Sequence, residues 1–173
     1  VARELGCKLS IKPVGFKHIY SEMKKRDVLL GGGESGGVGI AHHMPERDGL
    51  LVNLLLCEAM AVTGKSLAEL VDELESYFGR YYYARRDLRI DPEIVEMLRT
   101  VLPGLIPPMV AGRVPVHVSH MDGLRLEFDD ESWILLRPSQ TEPLIRVYAE
   151  AQTIEMRDEL LDAGRDLAHG EAT

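Results

Sequence analysis

The chain has fewer positively charged than negatively charged residues. Its 173 residues include 20 Lys and Arg against 28 Asp and Glu, which gives a formal net charge of −8 at pH 7. Nucleic acids and anionic membranes attract proteins that present a basic face. The charge balance therefore argues against a nucleic-acid partner and against a membrane partner, and any local group of arginines is an exception to it.

Cysteines and long apolar runs are also scarce. The two cysteines, Cys7 and Cys57, form no CxxC pair, so we expect reduced thiols and a cytoplasmic protein. The longest apolar run covers residues 50–61 and is interrupted by Asn53 and Glu58. Because a bilayer span needs about 20 apolar residues, no membrane segment is predicted. A hydrophobic content of 45% is enough to bury one or two cores.

The second half of the chain has the alternating pattern of an antiparallel sheet. Apolar residues occupy every second position over 114–118 and again over 124–128, with an Asp-Gly turn signal between them. This arrangement predicts a hairpin. Two further strands are predicted at 133–136 and 144–149.

Helices are predicted before and after these strands. Asp91 followed by Pro92 is typical of a helix start, and this helix is expected to reach about residue 100. Thr153 is expected to cap a last amphipathic helix. Residues 81–173 are therefore predicted as a small two-layer α+β domain with four mainly antiparallel strands and two helices.

The first half, residues 1–80, is predicted as part of an α/β domain. Residues 28–30 have the composition of a short buried strand. Asp48 is expected to cap a helix that is apolar nearly all round, and such a helix is usually buried. An aromatic and basic cluster at residues 81–86 is interpreted as the hinge between the two domains.

Groups that bind anions are concentrated between the last two predicted strands, in the sequence Arg-Pro-Ser-Gln-Thr-Glu-Pro at residues 137–143. The guanidinium of Arg137 is suited to two parallel charge-assisted hydrogen bonds with a phosphate. The hydroxyls of Ser139 and Thr141 and the backbone N–H groups of the loop are suited to its remaining oxygens. The alternative is a surface turn in which Arg137 pairs with Glu142 in solvent.

A second unusual stretch, residues 31–37, reads Gly-Gly-Gly-Glu-Ser-Gly-Gly. Gly31, Gly33 and Gly36 satisfy the GxGxxG spacing of a dinucleotide site, but no helix is predicted to start at the last glycine, as that site requires. No Lys-Ser or Lys-Thr pair completes a P-loop either. Neither nucleotide-binding interpretation is favoured.

Both stretches resemble loops of the phosphohexomutases, the family of phosphoglucomutases and phosphomannomutases. The phosphate-binding loop of this family usually reads Arg-Pro-Ser-Gly-Thr-Glu-Pro, and six of the seven positions match, with Gln140 at the glycine position. The sugar-binding loop of the family typically reads Gly-Glu-Glu-Ser-Gly-Gly after a hydrophobic strand. Here Gly33 occupies the position of the first glutamate and Ser35 that of the serine.

The resemblance implies roles for particular residues. The phosphate that does not react would be held by four of them, Arg137, Ser139, Gln140 and Thr141. Ser35 would bind sugar hydroxyls, with Glu34 as a substitute for the glutamate missing at position 33. Lys17 would face the sugar phosphate, and the alternative for Lys17 is a solvated lysine on a helix.

The resemblance also implies a C-terminal fragment of such an enzyme. Residues 1–80 would be the end of the α/β third domain, and residues 81–173 the α+β fourth domain. The phosphoserine loop and the Asp-Gly-Asp magnesium loop of the family lie in N-terminal domains and do not occur in this sequence. We therefore expect those domains to be partners that supply Mg²⁺ and the transferring group, and the chain alone to be inactive.

The predicted function is to bind substrate in an enzyme that interconverts hexose 1-phosphate and hexose 6-phosphate. Two alternatives remain at this point. One is a non-catalytic module that binds phosphosugars, and the other is a structural or interaction domain whose loops have decayed.

Overall fold

The computed structural model describes residues 1–25, 27–139 and 141–170. The chain divides into two compact units, Val1–Phe78 (unit 1) and Gly79–Thr173 (unit 2). This division lies two residues before the domain boundary predicted from the sequence.

Unit 1 combines helices with a small β-hairpin. Its elements in chain order are α1 (Phe16–Lys25), β1 (Leu30–Gly32), β2 (Val38–Ile40), α2 (Gly49–Thr63) and α3 (Leu67–Phe78). Strands β1 and β2 pair in antiparallel fashion, with Gly31 opposite Gly39. The glycine-rich stretch therefore forms the tip of a hairpin, and no helix follows its last glycine.

Helix α2 begins where the sequence predicts. The carboxylate of Asp48 accepts hydrogen bonds from the backbone N–H groups of Leu50 at 3.0 Å and Leu51 at 3.1 Å.

The predicted burial of helix α2 is wrong, because α2 contains no buried residue and Leu50 is 73% exposed. Leu30, in the strand predicted as buried, is also exposed. Two strands of three residues offer too little surface to cover a helix of 15 residues.

Among the described residues, no single helix is long and apolar enough to cross a bilayer. Helices α2 and α3 meet the requirement of length and composition only when they are taken together, and the chain bends by 82° between them.

Unit 2 is built on a five-stranded antiparallel sheet. Its strands in chain order are β3 (Tyr82–Arg89), β4 (His117–Ser119), β5 (Leu124–Glu127), β6 (Trp133–Pro138) and β7 (Leu144–Ala151). In space they follow the order β3-β7-β6-β5-β4. The predicted α+β class and the hairpin of β4 and β5 are confirmed. Strand β4 starts later than the alternating pattern predicts, because it covers only His117–Ser119.

The fifth strand replaces the predicted hinge. Residues 82–89 pair along their whole length with β7 and form one edge of the sheet, so the sheet has five strands and not four. Arg86 occupies an inward-facing position of this strand, where its Nη1 lies 2.6 Å from Oδ1 of Asp162 on the last helix. A charged residue at an inward position interrupts the apolar alternation, which explains why the sequence pattern did not indicate a strand.

Two helices pack on one face of this sheet, α4 (Pro92–Val101) and α5 (Ile154–His169). Both begin as predicted: the Asp91 side chain accepts from the backbone N–H of Glu93 at 2.9 Å, and Thr153 Oγ1 accepts from that of Met156 at 3.1 Å. These bonds satisfy N–H groups that have no partner within the helix.

The hydrophobic core of unit 2 lies between the helices and the sheet. It includes Leu126, Ile134, Val147 and Leu160, all of them fully buried. Helix α5 approaches the sheet closely at Gly164, where a Cβ atom would lie 2.5 Å from Cγ1 of Val147. Because side chains alternate across a strand, the residues between these apolar positions point to the opposite face of the sheet.

Candidate anion-binding site

Residues 139–143 connect β6 to β7, two inner strands of the sheet. Strand pairing ends with Pro138 opposite Ile145. One more backbone hydrogen bond follows, from the N–H of Ser139 to the carbonyl of Leu144 at 2.9 Å. The sheet therefore fixes both ends of a short loop.

Ser139 organises the turn of this loop. The residue is 2% exposed. Its Oγ accepts hydrogen bonds from the backbone N–H groups of Thr141 at 3.4 Å and Glu142 at 3.3 Å. Its carbonyl oxygen accepts a hydrogen bond from Nη2 of Arg99 on α4. The sequence predicts Ser139 as a direct anion ligand; in the structure its hydroxyl accepts two long hydrogen bonds from loop N–H groups.

Arg137 lies on the face of the sheet away from the helices. Its Nη1 donates to the hydroxyl of Tyr148 at 3.2 Å. No carboxylate of the described residues forms an ion pair with this guanidinium. The ion pair with Glu142 that the surface-turn interpretation requires is not found, and the Glu142 carboxylate instead lies 3.5 Å from Nη2 of Arg146.

Arg146 is the site residue that the sequence analysis missed. It lies directly opposite Arg137 in the pairing of β6 with β7, so both side chains project from the same face of the sheet. Its Nε is buried, has no hydrogen-bond partner among the described residues and is 3.9 Å from a carboxylate oxygen of Asp87. The sequence could have indicated Arg146, because a hairpin whose loop is residues 139–143 pairs position 137 with position 146.

Of the four predicted phosphate ligands, Ser139 and Thr141 are joined by a hydrogen bond within the turn, and Arg137 lies at the end of β6 that leads into it. Thr141 is exposed, so its hydroxyl is open to solvent. The fourth, Gln140, lies outside the described residues. Two further guanidinium groups lie beside the turn: that of Arg99 contacts the Ser139 carbonyl and also Glu96, and that of Arg146 lies 3.5 Å from the Glu142 carboxylate.

The predicted sugar-binding residues Glu34 and Ser35 lie together at the tip of the hairpin in unit 1, and both are exposed. The turn closes with hydrogen bonds from the N–H of Gly33 to the Gly37 carbonyl at 3.1 Å and from the N–H of Gly36 to the Gly33 carbonyl at 3.0 Å. A Cβ atom at Gly33 would meet nothing within 4 Å, and Gly33 is not in the left-handed region. The fold therefore leaves room for the family's glutamate at this position.

Helix α1 supports this hairpin. A Cβ atom at Gly31 would lie 2.4 Å from Cγ2 of Ile19, and one at Gly39 would lie 3.2 Å from the ring of Phe16, so the two glycines allow the helix to pack closely. Lys17 is on the same helix, and it is exposed.

The described residues contain no group of three or more His, Cys, Asp or Glu side chains that could hold a metal ion. The donor set of this part of the chain therefore does not fit a magnesium site.

Two family models match the chain. Residues 1–77 match the model described as phosphoglucomutase/phosphomannomutase, alpha/beta/alpha domain III, and residues 113–166 match that of the C-terminal domain of the same proteins. The chain belongs to the phosphohexomutase family. This result confirms the resemblance and the order of an α/β unit before an α+β unit.

Individual relatives agree with this assignment. A phosphoglucomutase/phosphomannomutase of Thermococcus kodakarensis is 29% identical over 95% of this chain and 34% of its own length. A phosphoglucosamine mutase of Streptococcus agalactiae is 32% identical over 96% of this chain and 33% of its own. The crystal structure of a Thermus thermophilus protein assigned as a phosphomannomutase is similar with a TM-score of 0.74 and 38% identity, over 98% of this chain and 33% of that protein.

The phosphohexomutase chain therefore spans about a third of the length of these relatives. It corresponds to a C-terminal portion of such an enzyme, as the sequence predicts.

The contact between Tyr148 and Arg137 gives a test of the site. In Tyr148→Phe the guanidinium of Arg137 loses the hydroxyl that orients it, and one hydrogen bond contributes about 0.5–1.5 kcal/mol. We expect the affinity for inorganic phosphate, measured by NMR titration of the loop amides, to fall about threefold to tenfold.

Tyr81→Phe is the matched control, since it removes a hydroxyl that donates to Glu131 at 3.0 Å in the same unit. An equal effect of the two substitutions on phosphate affinity would exclude an orienting role for Tyr148.

Proposed function

We propose that this chain binds the phosphosugar substrate of a phosphohexomutase that interconverts hexose 1-phosphate and hexose 6-phosphate. The observation that carries the proposal is the pairing of Arg137 with Arg146 on one face of the sheet, beside a turn rich in N–H groups. A dianion beside the two arginines would form charge-assisted hydrogen bonds with both, in exchange for the contact of Arg146 with Glu142.

The non-reacting phosphate would be held as follows. Arg137 and Arg146 each present guanidinium N–H donors to its oxygens. The N–H groups of Thr141 and Glu142, whose bonds to Ser139 Oγ are long at 3.4 and 3.3 Å, would turn to the anion. The hydroxyls of Ser139 and Thr141 and the amide of Gln140 would add donors. Each bond to a charged oxygen contributes roughly 1.5–3 kcal/mol.

The sugar would be bound by the hairpin of unit 1. Ser35 and Glu34 are both exposed at its tip, and a carboxylate accepts hydrogen bonds from two adjacent hydroxyls. Lys17 on α1 would contribute its ammonium group to the sugar phosphate.

Transfer of the phosphoryl group would depend on other domains. The phosphohexomutases are generally metal-dependent enzymes, and we infer that Mg²⁺ and the transferring serine belong to the remaining two thirds of the protein. Such an ion supplies charge stabilisation when phosphoryl groups move. This chain contributes recognition and orientation, and we expect no mutase activity from it alone. A cytoplasmic location stays a prediction, which cell fractionation would test.

Substitution of Arg137 tests the proposal directly. We expect the unaltered chain to bind glucose 1-phosphate or mannose 6-phosphate with a Kd of roughly 1 mM, because a half-site left open to water gives weak affinity. Arg137→Met should weaken binding by about tenfold or more, since it removes charge-assisted hydrogen bonds. Isothermal titration or NMR titration provides the measurement.

The control is Arg165→Met, which removes an arginine that pairs with Asp162 and Asp166 on α5. Equal affinities of the two variants would contradict the proposed site. No binding by the unaltered chain would favour the alternative of a structural or interaction domain.

We also infer that the rest of the parent enzyme, its third domain included, covers α2. The apolar side chains of this helix are exposed, among them Leu54 at 59% and Val62 at 79%. An apolar helix of this kind is unfavourable in water and is normally covered by protein.

Cys57 reports on this inference because it lies on α2 and is exposed. In a Cys7→Ser background, Cys57 should react quickly with a thiol reagent in the 173-residue chain and slowly in the complete enzyme. Equal labelling rates in native protein would exclude the rest of the enzyme as the cover of α2.

A further inference from the structure

Arg99 connects helix α4 to the loop across 40 positions of sequence. Its Nη2 donates a hydrogen bond to the carbonyl oxygen of Ser139, and its Nη1 donates to the carboxylate of Glu96 one turn earlier on the same helix. Within the described part of the chain, the Ser139 carbonyl has one hydrogen-bond donor, the guanidinium of Arg99.

The helix that carries Arg99 is firmly anchored. Val95 and Leu98 on α4 are 1% and 4% exposed and pack in the core against β6 and β7. These are the strands that the loop connects. A donor fixed on this helix is therefore held in a constant position relative to both ends of the loop.

Arginine is suited to this place for two reasons. Ser139 is 2% exposed, so its carbonyl has little access to water and needs a protein donor. The carbonyl oxygen of Ser139 also carries partial negative charge in a loop that is proposed to receive a dianion. The positive charge of Arg99 offsets this partial negative charge. The forked guanidinium donates to the loop and to Glu96 at once, which a lysine does less well.

We propose that Arg99 is a positioning residue, which holds the backbone of Ser139 and thereby keeps the loop that carries the N–H groups of Thr141 and Glu142 in place to receive phosphate. This inference rests on the function proposed above. It assigns to α4 the task of preorganising the loop, and it does not require Arg99 to touch the ligand.

The test compares Arg99→Met and Arg99→Lys with the unaltered 173-residue chain in NMR titrations with inorganic phosphate. We expect the affinity to fall about tenfold in Arg99→Met and about threefold in Arg99→Lys, which keeps the charge and one donor. The amide signals of Thr141 and Glu142 should shift or broaden in Arg99→Met before any phosphate is added.

Millimolar guanidinium chloride should partly restore the affinity of Arg99→Met, whereas an equal concentration of sodium chloride should not. A loss of affinity that followed only from reduced stability would show no such rescue. Arg157→Met is the matched control, because Arg157 is a helix arginine that pairs with Asp158 outside the loop.

The outcomes separate the two proposals. If the unaltered chain binds no phosphate, the proposed function fails, and this inference fails with it. If the unaltered chain binds phosphate and both Arg99 variants bind it equally well, the function stands and the positioning role of Arg99 is overturned. If Arg99→Met does not fold, the affinity of Arg99→Lys decides in the same way.

Discussion

The antiparallel register between β6 and β7 is the constraint on which the candidate site depends. It places Arg137 opposite Arg146, and the bond from the Ser139 N–H to the Leu144 carbonyl extends it into the loop. A shift by one residue would send one of the two arginines to the core face. The buried apolar side chains on that face, such as Ile134 and Val147, therefore fix the register that keeps both arginines on the opposite face.

Hydrogen bonds from three neighbouring residues order the groups that could bind an anion. Ser139 gathers two backbone N–H groups, Tyr148 accepts from the Arg137 guanidinium, and Arg99 binds the Ser139 carbonyl. They come from different elements, the loop itself, strand β7 and helix α4. The loop is ordered before the ligand arrives, and the N–H groups of Thr141 and Glu142 need only exchange Ser139 Oγ for the anion, which limits the reorganisation on binding.

The sequence predicted what depends on local patterns. The Asp-Gly hairpin turn, the caps Asp48, Asp91 and Thr153, and the contiguous motif at 137–143 are all encoded within a few residues. The contact of Arg99 with Ser139 joins residues 40 positions apart, so no local pattern reveals it. Strand β3 was hidden because Arg86 faces inward to pair with Asp162. The exposure of α2 was missed because burial depends on neighbouring elements, which periodicity does not report.

The account is tested most directly by a crystal structure of the chain with a bound hexose phosphate. It predicts phosphate oxygens within hydrogen-bond distance of the guanidinium groups of both Arg137 and Arg146 and of the N–H groups of Thr141 and Glu142. A phosphate bound away from this loop, with those N–H groups still directed to Ser139 Oγ, would contradict it.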